Sequence, residues 1–441
     1  MSKRTLSLLM ALALTGSLVA GCGGTQGQTG GDTGSSQGGS ASGSVIQLEF
    51  WNGFTGPDGE GMQKLVDQFN AEHKGQIQVK MQRIPWAEYY DKIVTAVASG
   101  KAPDVGIMHL DHVKRYAKRG VILPLDEDIQ ALGLSAEDYF PAGWEAGQLD
   151  GHQYSIPLDF HPLALYYNID LLKQAGYDRP PETPEEFVEM AKAATDPSKD
   201  QWGFMLQVGW PTQMIFASAI HQFGGSLYTP DGQQAAYNSP EGVAAFQFLY
   251  DLVYKHKVSP PNVPVDGGVT AFRQGKLLFH IDGIWMMQGF KEQQGLNFGV
   301  APVSSLFGTK QKAAWGGSHQ FVLFKKKDWT AERRQAALTF IDWIGQHSVE
   351  WAKWGQIPAR NVARESEEFK ALKEQSILAT QLEHAIFFAA PNNPWAAQGT
   401  DPLGDAISAV LTNKMGIKEA LDQAVALGNK NMEASRQQEG N

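Results

Sequence analysis

Hydrophobic and polar residues follow two different periods in the first part of the chain. Apolar residues alternate with polar ones over 46–50 and 77–82, which predicts two strands. Apolar residues recur with helical spacing over 62–69 and 90–97, and an apolar run over 105–108 predicts a third strand. This order of strand, helix, strand, helix and strand within about 65 residues predicts a doubly wound α/β unit.

The alternation resumes in the middle of the chain. Thr183, Pro184 and Glu186 have the spacing of an N-cap, a first-turn proline and a capping-box glutamate. Ser239 precedes a second Pro-Glu helix start, and residues 337–344 carry a further apolar stripe. The pattern therefore predicts an α/β protein throughout the body of the chain.

Length and composition limit the class of protein. The chain has 441 residues, enough for two domains, and 42% of them are hydrophobic, which excludes wholesale disorder. The formal net charge of −10 argues against a nucleic-acid-binding surface, which needs a basic face. A single cysteine excludes a disulfide framework. The lysines at 325–327 indicate a solvated turn after a strand rather than a binding patch.

The N-terminus predicts secretion. Two basic residues precede an apolar run over 6–20, whose helical length of about 22 Å is short for a hydrocarbon core of about 30 Å. We interpret residues 1–21 as a signal peptide. The sequence Val-Ala-Gly-Cys at 19–22 resembles the bacterial lipobox, in which the cysteine, here Cys22, is lipid-modified and becomes the mature N-terminus. The alternative is an ordinary signal peptide with an incidental cysteine.

Composition changes after Cys22. Residues 23–44 contain nine glycines, many small polar residues and one charge, a composition typical of a flexible coil that cannot form a core. Such a coil has an r.m.s. reach of about 25 Å. We therefore expect residues 22–44 to be a tether that holds the folded body near the outer face of a membrane.

Short motifs stand in a characteristic order along the body of the chain. They are LEFWN (48–52), GKAPDV (100–105), YSIP (154–157), LYYN (165–168), AFRQGK (271–276), DGIW (282–285), GGSH (316–319) and QIPAR (356–360). Each motif is weak alone, but in this order behind a lipobox they cover nearly all of 45–435. Together they resemble the extracellular solute-binding proteins of ATP-driven importers, in the family that includes maltose-binding and other sugar-binding lipoproteins.

The resemblance implies a periplasmic-binding-protein-like α/β fold. Such a fold has two doubly wound lobes joined by crossing strands, with the ligand in the cleft between them. The chain would cross near His161, near 316–322 and near 356–361. The implied lobes are 45–160 with 323–355, and 161–315 with 361–435.

The resemblance also implies a function. A protein of this family captures a sugar or an oligosaccharide in the interlobe cleft and delivers it to the permease subunits of an ABC importer, which work with their ATPase. We expect a binding protein rather than an enzyme, without cofactor, metal or nucleic-acid partner. We also expect a monomer that is anchored by lipid outside the cytoplasm, at the cell surface or in the periplasm.

Sugars present apolar faces and a rim of hydroxyls, which proteins match with aromatic rings and with charged or amide groups. By resemblance, Trp285 and Trp210 would be aromatic platforms in the second lobe. Asp111, just past the third strand, would bind sugar hydroxyls at the place where ligands of open α/β sheets collect. Met108 and His112 stand where the maltose-binding pattern has tryptophan and arginine, which puts maltose itself in doubt.

Further candidates lie after the first strand and at the three crossings. The family places a cleft-facing carboxylate at the first crossing, and glycine at the second crossing would let backbone N–H groups approach a ligand. The arginine at the third crossing either binds ligand or braces the hinge. These candidates are Asn52, Phe54, Asp159, His161, Gly317, Ser318, His319 and Arg360.

Three alternatives use the same residues. The segment H-x-D-H at 109–112, with His161, contains metal-ligating residue types, but its spacing fits no helical pair and lacks a local fourth ligand, so we expect no metal. A secreted glycosidase needs two opposed carboxylates about 5 to 10 Å apart, which Asp111 and Asp159 offer in principle, although no pattern here resembles a glycosidase. A glycerol-3-phosphate-type binder needs cationic partners, and the candidates include one arginine. A neutral sugar is favoured.

Overall fold

The computed structural model of the protein describes residues 44–390 and 392–439. The predicted signal peptide, the predicted lipid-modified Cys22 and all of the tether except Ser44 lie outside these described residues. No helix in the described part of the chain has the length and apolar composition needed to cross a membrane.

The described chain alternates strands with helices. The strands are β1 (Ile46–Asn52), β2 (Ile77–Arg83), β3 (Val105–His109), β4 (Gln148–Leu149), β5 (His152–Gln153), β6 (Ile156–Pro157), β7 (Asp159–Asn168), β8 (Trp202–Phe204), β9 (Leu277–Gly283), β10 (Phe298–Ala301), β11 (Ala314–Gly317), β12 (His319–Leu323), β13 (Ile357–Pro358) and β14 (Ala385–Ile386). The helices are α1 (Pro57–Glu72), α2 (Trp86–Ala98), α3 (Leu110–Lys118), α4 (Asp126–Ala131), α5 (Pro141–Ala146), α6 (Ile169–Gln174), α7 (Pro184–Ala194), α8 (Thr212–Gln222), α9 (Pro240–Tyr254), α10 (Gly267–Arg273), α11 (Met287–Lys291), α12 (Ala331–Gln346), α13 (Ser348–Ala352), α14 (Asn361–Glu365), α15 (Glu367–Lys370), α16 (Lys373–Ala379), α17 (Ala396–Thr400), α18 (Leu403–Leu411) and α19 (Ile417–Glu439).

The first sheet has the strand order β2-β1-β3-β12-β6. Strand β1 pairs in parallel with β2 and β3, so that Phe50 lies opposite both Met81 and Val105. Helices α1 and α2 are the crossovers that parallel neighbours require, because a tight turn cannot join parallel strands. The predicted order of strand, helix, strand, helix and strand is present. Strand β12 then returns from far along the chain and runs antiparallel to β3 and β6.

The second sheet has the order β14-β11-β7-β9-β8, and β10 and β13 also pair with β7. Strand β7 is ten residues long and is buried along nearly its whole length. Its first residues pair with β13, its middle with β11 and β9, and its end with β10. A strand buried on both faces is therefore the axis of the second sheet.

Two segments pass directly from one sheet to the other. Strand β6 belongs to the first sheet and β7 to the second, with only Leu158 between them. Strand β11 belongs to the second sheet and β12 to the first, with only Ser318 between them. Two α/β lobes joined by crossing strands confirm the predicted fold class, and the lobe boundaries stay a prediction.

Each sheet packs against its helices through a large apolar cluster. The cluster on the first sheet includes Phe50 and Phe340, whose ring centroids are 5.2 Å apart with their planes at 65°. The cluster on the second sheet includes Phe187, which packs on Phe204 and Phe279. Burying each such ring completely, rather than leaving it exposed, adds roughly 1.5–3 kcal/mol to the free energy of unfolding. The two cores hold the strand ends in fixed positions.

Of the two features predicted at the start of α7, the N-cap is present and the capping box is not. Oγ1 of Thr183 accepts a hydrogen bond from the N–H of Glu186 at 3.2 Å, as an N-cap should. The carboxylate of Glu186, however, accepts from the N–H of Glu182 at 2.9 Å and from the guanidinium of Arg179 at 2.6 Å. The capping box is therefore replaced by a surface ion pair, because Arg179 attracts the glutamate.

The lysine-rich turn after β12 is not wholly solvated, which corrects the interpretation of residues 325–327. Nζ of Lys326 lies 2.9 Å from Oδ1 of Asp104, and the Lys326 side chain is only 6% exposed. Arg333 donates to both oxygens of the same carboxylate at 2.6 and 2.8 Å. This buried cluster ties β3 to the turn after β12 and to α12.

Candidate functional site

A cavity of about 670 Å³ lies at the carboxyl ends of β1 and β3 and beside the crossing strands β7, β11 and β12. The first lobe contributes the loop after β1, the start of α2 and the junction of β3 with α3. The second lobe contributes Trp285 and residues near 210–214, 387–388 and 397–404. Ligands of open α/β sheets collect at such strand ends. This cleft is the candidate site.

Four indole rings line the cleft: Trp86 from the first lobe and Trp210, Trp285 and Trp315 from the second. The rings of Trp210 and Trp285 are 6.1 Å apart with their planes at 33°, and those of Trp285 and Trp315 are 6.4 Å apart and nearly perpendicular. Trp210 is 42% exposed, which is unusual for so large an apolar side chain. The second lobe therefore presents an aromatic wall to a ligand.

Two glycines make room for these rings. A Cβ at Gly53 would lie 2.1 Å from the indole of Trp86, and one at Gly283 would lie 2.0 Å from the indole of Trp285. No real Cβ approaches a ring this closely, so any other residue at either position would displace the tryptophan. Each strand end thus pairs a glycine with the ring that it positions.

Three carboxylates line the cleft, those of Asp58, Asp111 and Asp401. Asp58 and Asp111 lie in the first turns of α1 and α3, where the helix dipole favours negative charge. Burial raises the pKa of Asp58 to about 6, and the lowering effects of His319 and of the N–H of Gly59 offset this only in part. The cleft therefore offers acceptors for hydroxyl groups.

A fourth carboxylate, Asp159, lies beneath the wall and is fully buried. It accepts hydrogen bonds from Nδ1 of His161 at 3.0 Å, from Nδ1 of His319 at 2.8 Å and from Nε1 of Trp351 at 2.8 Å. Burial alone would raise the pKa of Asp159, but His319 and these hydrogen bonds hold it well below its usual range. Asp159 is thus an ionised anchor for two imidazoles that reach the cleft.

The structure brings six of the predicted site residues together around the cavity. They come from α3, from the crossing strands and from the second lobe, and their side chains or backbone atoms face one space. These residues are Asp111, His161, Trp210, Trp285, Gly317 and His319.

The other five predicted site residues do not reach the cavity. Four of them, Asn52, Phe54, Asp159 and Ser318, are at most 1% exposed and lie beneath its wall. Phe54, for example, packs edge-on against the ring of His319, with the centroids 4.7 Å apart. Nη2 of Arg360 donates to Asp342 at 2.6 Å, and the Arg360 side chain also bonds the hydroxyl of Tyr139. Arg360 is therefore a brace within the protein.

Several lining residues were missed by the sequence analysis. Asp58 and Trp86 lie in the first turns of the two helices that follow β1 and β2. Because ligands of open α/β sheets collect at the carboxyl ends of the strands, both positions could have been predicted from the sequence. Residues 387–388 and 397–404 join the cleft through the folding of the C-terminal part, and nothing local in the sequence marks them.

The histidines that meet in the cleft are not the set that was considered from the sequence. His109, His161 and His319 each offer a ring nitrogen within 4.8 Å of the other two. The set considered from spacing contained Asp111 and His112 instead of His319, because His319 comes from β12, more than 150 residues beyond His161. Burial lowers the pKa of His319, although Asp159 acts in the opposite direction. A neutral imidazole is the form that can ligate a metal.

Fold and cleft together define a two-lobe α/β protein that binds a ligand between crossing strands. The model of the bacterial extracellular solute-binding protein family matches residues 54–350, and the chain belongs to this family. The resemblance drawn from the sequence motifs is confirmed.

Individual relatives are distant in sequence. The chain is 24% identical over 298 residues to a maltotriose-binding protein of Pyrococcus abyssi, a match that covers 67% of this chain and 61% of the relative. It is also 24% identical over 384 residues to a galactooligosaccharide-binding protein of Bacillus subtilis, covering 82% and 85%. A maltooligosaccharide ABC transporter solute-binding lipoprotein of Streptococcus pneumoniae is 24% identical over 353 residues, covering 76% and 78%.

Solved structures share the fold. An ABC substrate-binding protein from Listeria monocytogenes, in complex with cycloalternan, superposes with a TM-score of 0.76 at 22% identity, over 88% of this chain and 99% of that one. The maltose/maltodextrin-binding domain from Bdellovibrio bacteriovorus, bound to maltotriose, gives a TM-score of 0.76 at 21% identity, over 88% and 100%.

Proposed function

We propose that this protein is the sugar-binding component of an ABC importer, which captures a neutral oligosaccharide in its cleft and delivers it to a membrane permease. The observation that carries the proposal is the lining of the cleft, where four indole rings and three carboxylates surround one space. Aromatic rings match the apolar faces of sugars and carboxylates match their hydroxyls. The relatives named for maltotriose, galactooligosaccharides and maltooligosaccharides support the same class of ligand.

The charge of the cleft argues against a phosphorylated polyol. Among the described residues that line it there is no lysine or arginine, whereas Asp58, Asp111 and Asp401 are acidic. A phosphate group would meet negative charge without a cationic partner. The one arginine among the predicted contacts, Arg360, is engaged with Asp342 instead. A neutral ligand fits this electrostatic environment better.

The cleft also argues against the glycosidase alternative. Of the carboxylate pair that the sequence offered, Asp111 lines the cavity but Asp159 is fully buried and bonded to His161, His319 and Trp351. A buried carboxylate held in this way cannot face a glycosidic bond. The pair that the sequence offered is therefore not available to a glycosidase, and because the relatives are binding proteins we propose binding without catalysis.

A thermal-shift screen tests the class of ligand. The panel contains glucose, maltose, maltotriose, galactooligosaccharides and mannotriose, with glycerol-3-phosphate as the charged comparison and EDTA in every well. A ligand at 100 times its Kd adds about 2.7 kcal/mol to the free energy of unfolding, which raises the melting temperature measurably. We expect at least one neutral sugar to do this. A shift with glycerol-3-phosphate alone, or the appearance of new reducing ends, would contradict the proposal.

The proposal includes a cellular arrangement. The protein is anchored through lipid on Cys22, works as a monomer outside the cytoplasm and reaches its permease by the tether of residues 22–44. Family membership supports an extracytoplasmic location, and a lipoprotein among the relatives supports the anchor. A ligand that contacts both lobes binds the closed arrangement better, so binding should draw the lobes together.

A further inference from the structure

Three histidines from three strands meet in the wall of the cleft. His109 ends β3, His161 is the third residue of β7 and His319 begins β12. One ring nitrogen of each histidine, either Nδ1 or Nε2, lies within 4.8 Å of a ring nitrogen of each of the other two. The ring centroids of His161 and His319 are 4.1 Å apart, and that of His109 is 5.2 Å from His319. We call these residues the histidine triad.

Each ring of the triad is held through Nδ1. Oδ1 of Asp159 accepts from His161 at 3.0 Å, and Oδ2 accepts from His319 at 2.8 Å. The hydroxyl of Tyr90 lies 2.8 Å from Nδ1 of His109. A neutral imidazole that donates from Nδ1 carries its lone pair on Nε2. No hydrogen bond among the described residues uses Nε2 of any triad ring, so these atoms are free for a ligand.

The supporting groups are themselves fixed. The carboxylate of Asp159 also accepts from Nε1 of Trp351 at 2.8 Å and from the backbone N–H of His319 at 3.0 Å. The hydroxyl of Tyr90 accepts from the backbone N–H of His109 at 3.1 Å. Metal-ligating histidines characteristically bond a carboxylate, carbonyl or similar acceptor through the second ring nitrogen, which sets the tautomer and the ring orientation. The triad has this outer shell already in place.

From this geometry we propose that the histidine triad binds one zinc ion, with the fourth coordination position facing the cleft. Three imidazoles and one open position form a known zinc ligand set. Zn–N bonds of about 2.0–2.1 Å at tetrahedral angles place the nitrogens about 3.3 Å apart. The ring centroids of His161 and His109 lie 4.1 and 5.2 Å from that of His319, so small side-chain rotations bring the three imidazoles around one ion.

A purely polar role explains the triad less well. Three imidazoles line one space, and a single sugar hydroxyl donates only one proton. A dication can bind all three rings at once as neutral imidazoles, and the Asp159 carboxylate, which bonds His161 and His319, balances part of its charge. Local sequence spacing argued against a metal because the ligands come from positions 109, 161 and 319, which only the crossing strands bring together.

Calorimetric titration with zinc chloride tests the site. The untagged full-length protein, first treated with a chelator, is titrated without sugar. We expect one zinc per chain. His109→Gln and His319→Gln should each weaken binding about 100-fold or more, because loss of an outer-shell partner alone costs about 10- to 100-fold and each variant removes a ligand itself. His152→Ala is the matched control, since His152 pairs with Asp126 at 2.9 Å on the surface and offers an adventitious site; it should leave the zinc affinity unchanged.

Two outcomes would overturn the proposal. One is the absence of saturable zinc binding by the wild-type protein up to about 1 mM. The other is equal zinc affinity in the wild type and in the triad variants. Circular dichroism of the metal-free variants checks their folding. Should either variant fail to fold, X-ray absorption at the zinc edge of the wild-type complex decides. Three imidazole ligands and one oxygen ligand are expected, and a spectrum with a single imidazole refutes the triad. Since this titration contains no sugar and the sugar screen contains EDTA, failure of one claim leaves the other standing.

Discussion

Replacing Asp58 with asparagine should stabilise the ligand-free protein at neutral pH. Asp58 is only 7% exposed, and burial raises the pKa of its carboxyl from 3.8 to about 6. A rise of about two pKa units corresponds to about 3 kcal/mol. The native protein keeps this proton to higher pH than the unfolded chain does. The resulting penalty is therefore small near pH 4, grows as the pH rises through 4 to 6, and is complete at pH 7.

The asparagine side chain would keep the acceptor that bonds the N–H of Gly59 at 2.9 Å while removing the charge. Urea unfolding at pH 7 should show a gain of about 2 to 3 kcal/mol for Asp58→Asn, and at pH 4 a gain below about 1 kcal/mol. Asp67→Asn is the control, because Asp67 lies on the exposed side of the same helix and accepts from Gln63. It should change the free energy of unfolding by less than about 0.5 kcal/mol at either pH. An equal gain at both pH values, or a loss at pH 7, would refute the reasoning.

Four further predictions concern other parts of the protein. Trp285→Ala should weaken sugar binding by about 2 kcal/mol or more, with a smaller loss of stability because the ring is only half-buried; normal binding with a much lower melting temperature would place Trp285 in the core instead. Cys22→Ala should release the protein from the membrane fraction, and retention there would exclude the anchor. Saturating sugar should reduce the radius of gyration in small-angle scattering, and an unchanged value would exclude closure of the lobes. Asp104→Ala should cost about 3–5 kcal/mol in urea unfolding, because it removes the buried carboxylate that pairs with Lys326 and Arg333 and leaves only the exposed Asp328 near Lys326. A loss below about 1 kcal/mol would show that the ion cluster is dispensable.

The α/β alternation could be predicted from the sequence because each element carries its own period. The strand predicted over 77–82 is β2 (Ile77–Arg83), and the helix predicted from the stripe over 62–69 is α1, which extends from Pro57 to Glu72. The stripe marks only the buried face, so the ends of the helix lay outside the prediction. The joining of two sheets by crossing strands has no local period. The crossing strands were therefore predicted only from the resemblance of the ordered motifs to a known family.

The candidate site was predicted only in part, because a residue contacts a ligand only when its side chain points into the cleft, and the position of the residue along the chain does not determine this. Along an extended segment successive side chains point to opposite sides, so Gly317 and His319 face the cleft while Ser318 between them is buried behind it. Asp159 was placed at the correct crossing, but it points to the imidazoles rather than to a ligand. Residues near 397–404 reach the cleft only through tertiary packing, and their local sequence could not reveal this.

A crystal structure of the protein with the best ligand from the sugar panel would show directly whether the cleft binds sugar. We predict sugar density in the cleft, with a ring against Trp210 or Trp285 and hydroxyls bonded to Asp111 or Asp58. Asp159 should stay buried and away from the ligand. Density for the sugar outside this cleft, for example in the small surface depression beside Asp126 and His152, with the cleft itself free of sugar, would refute the cleft as the sugar-binding site.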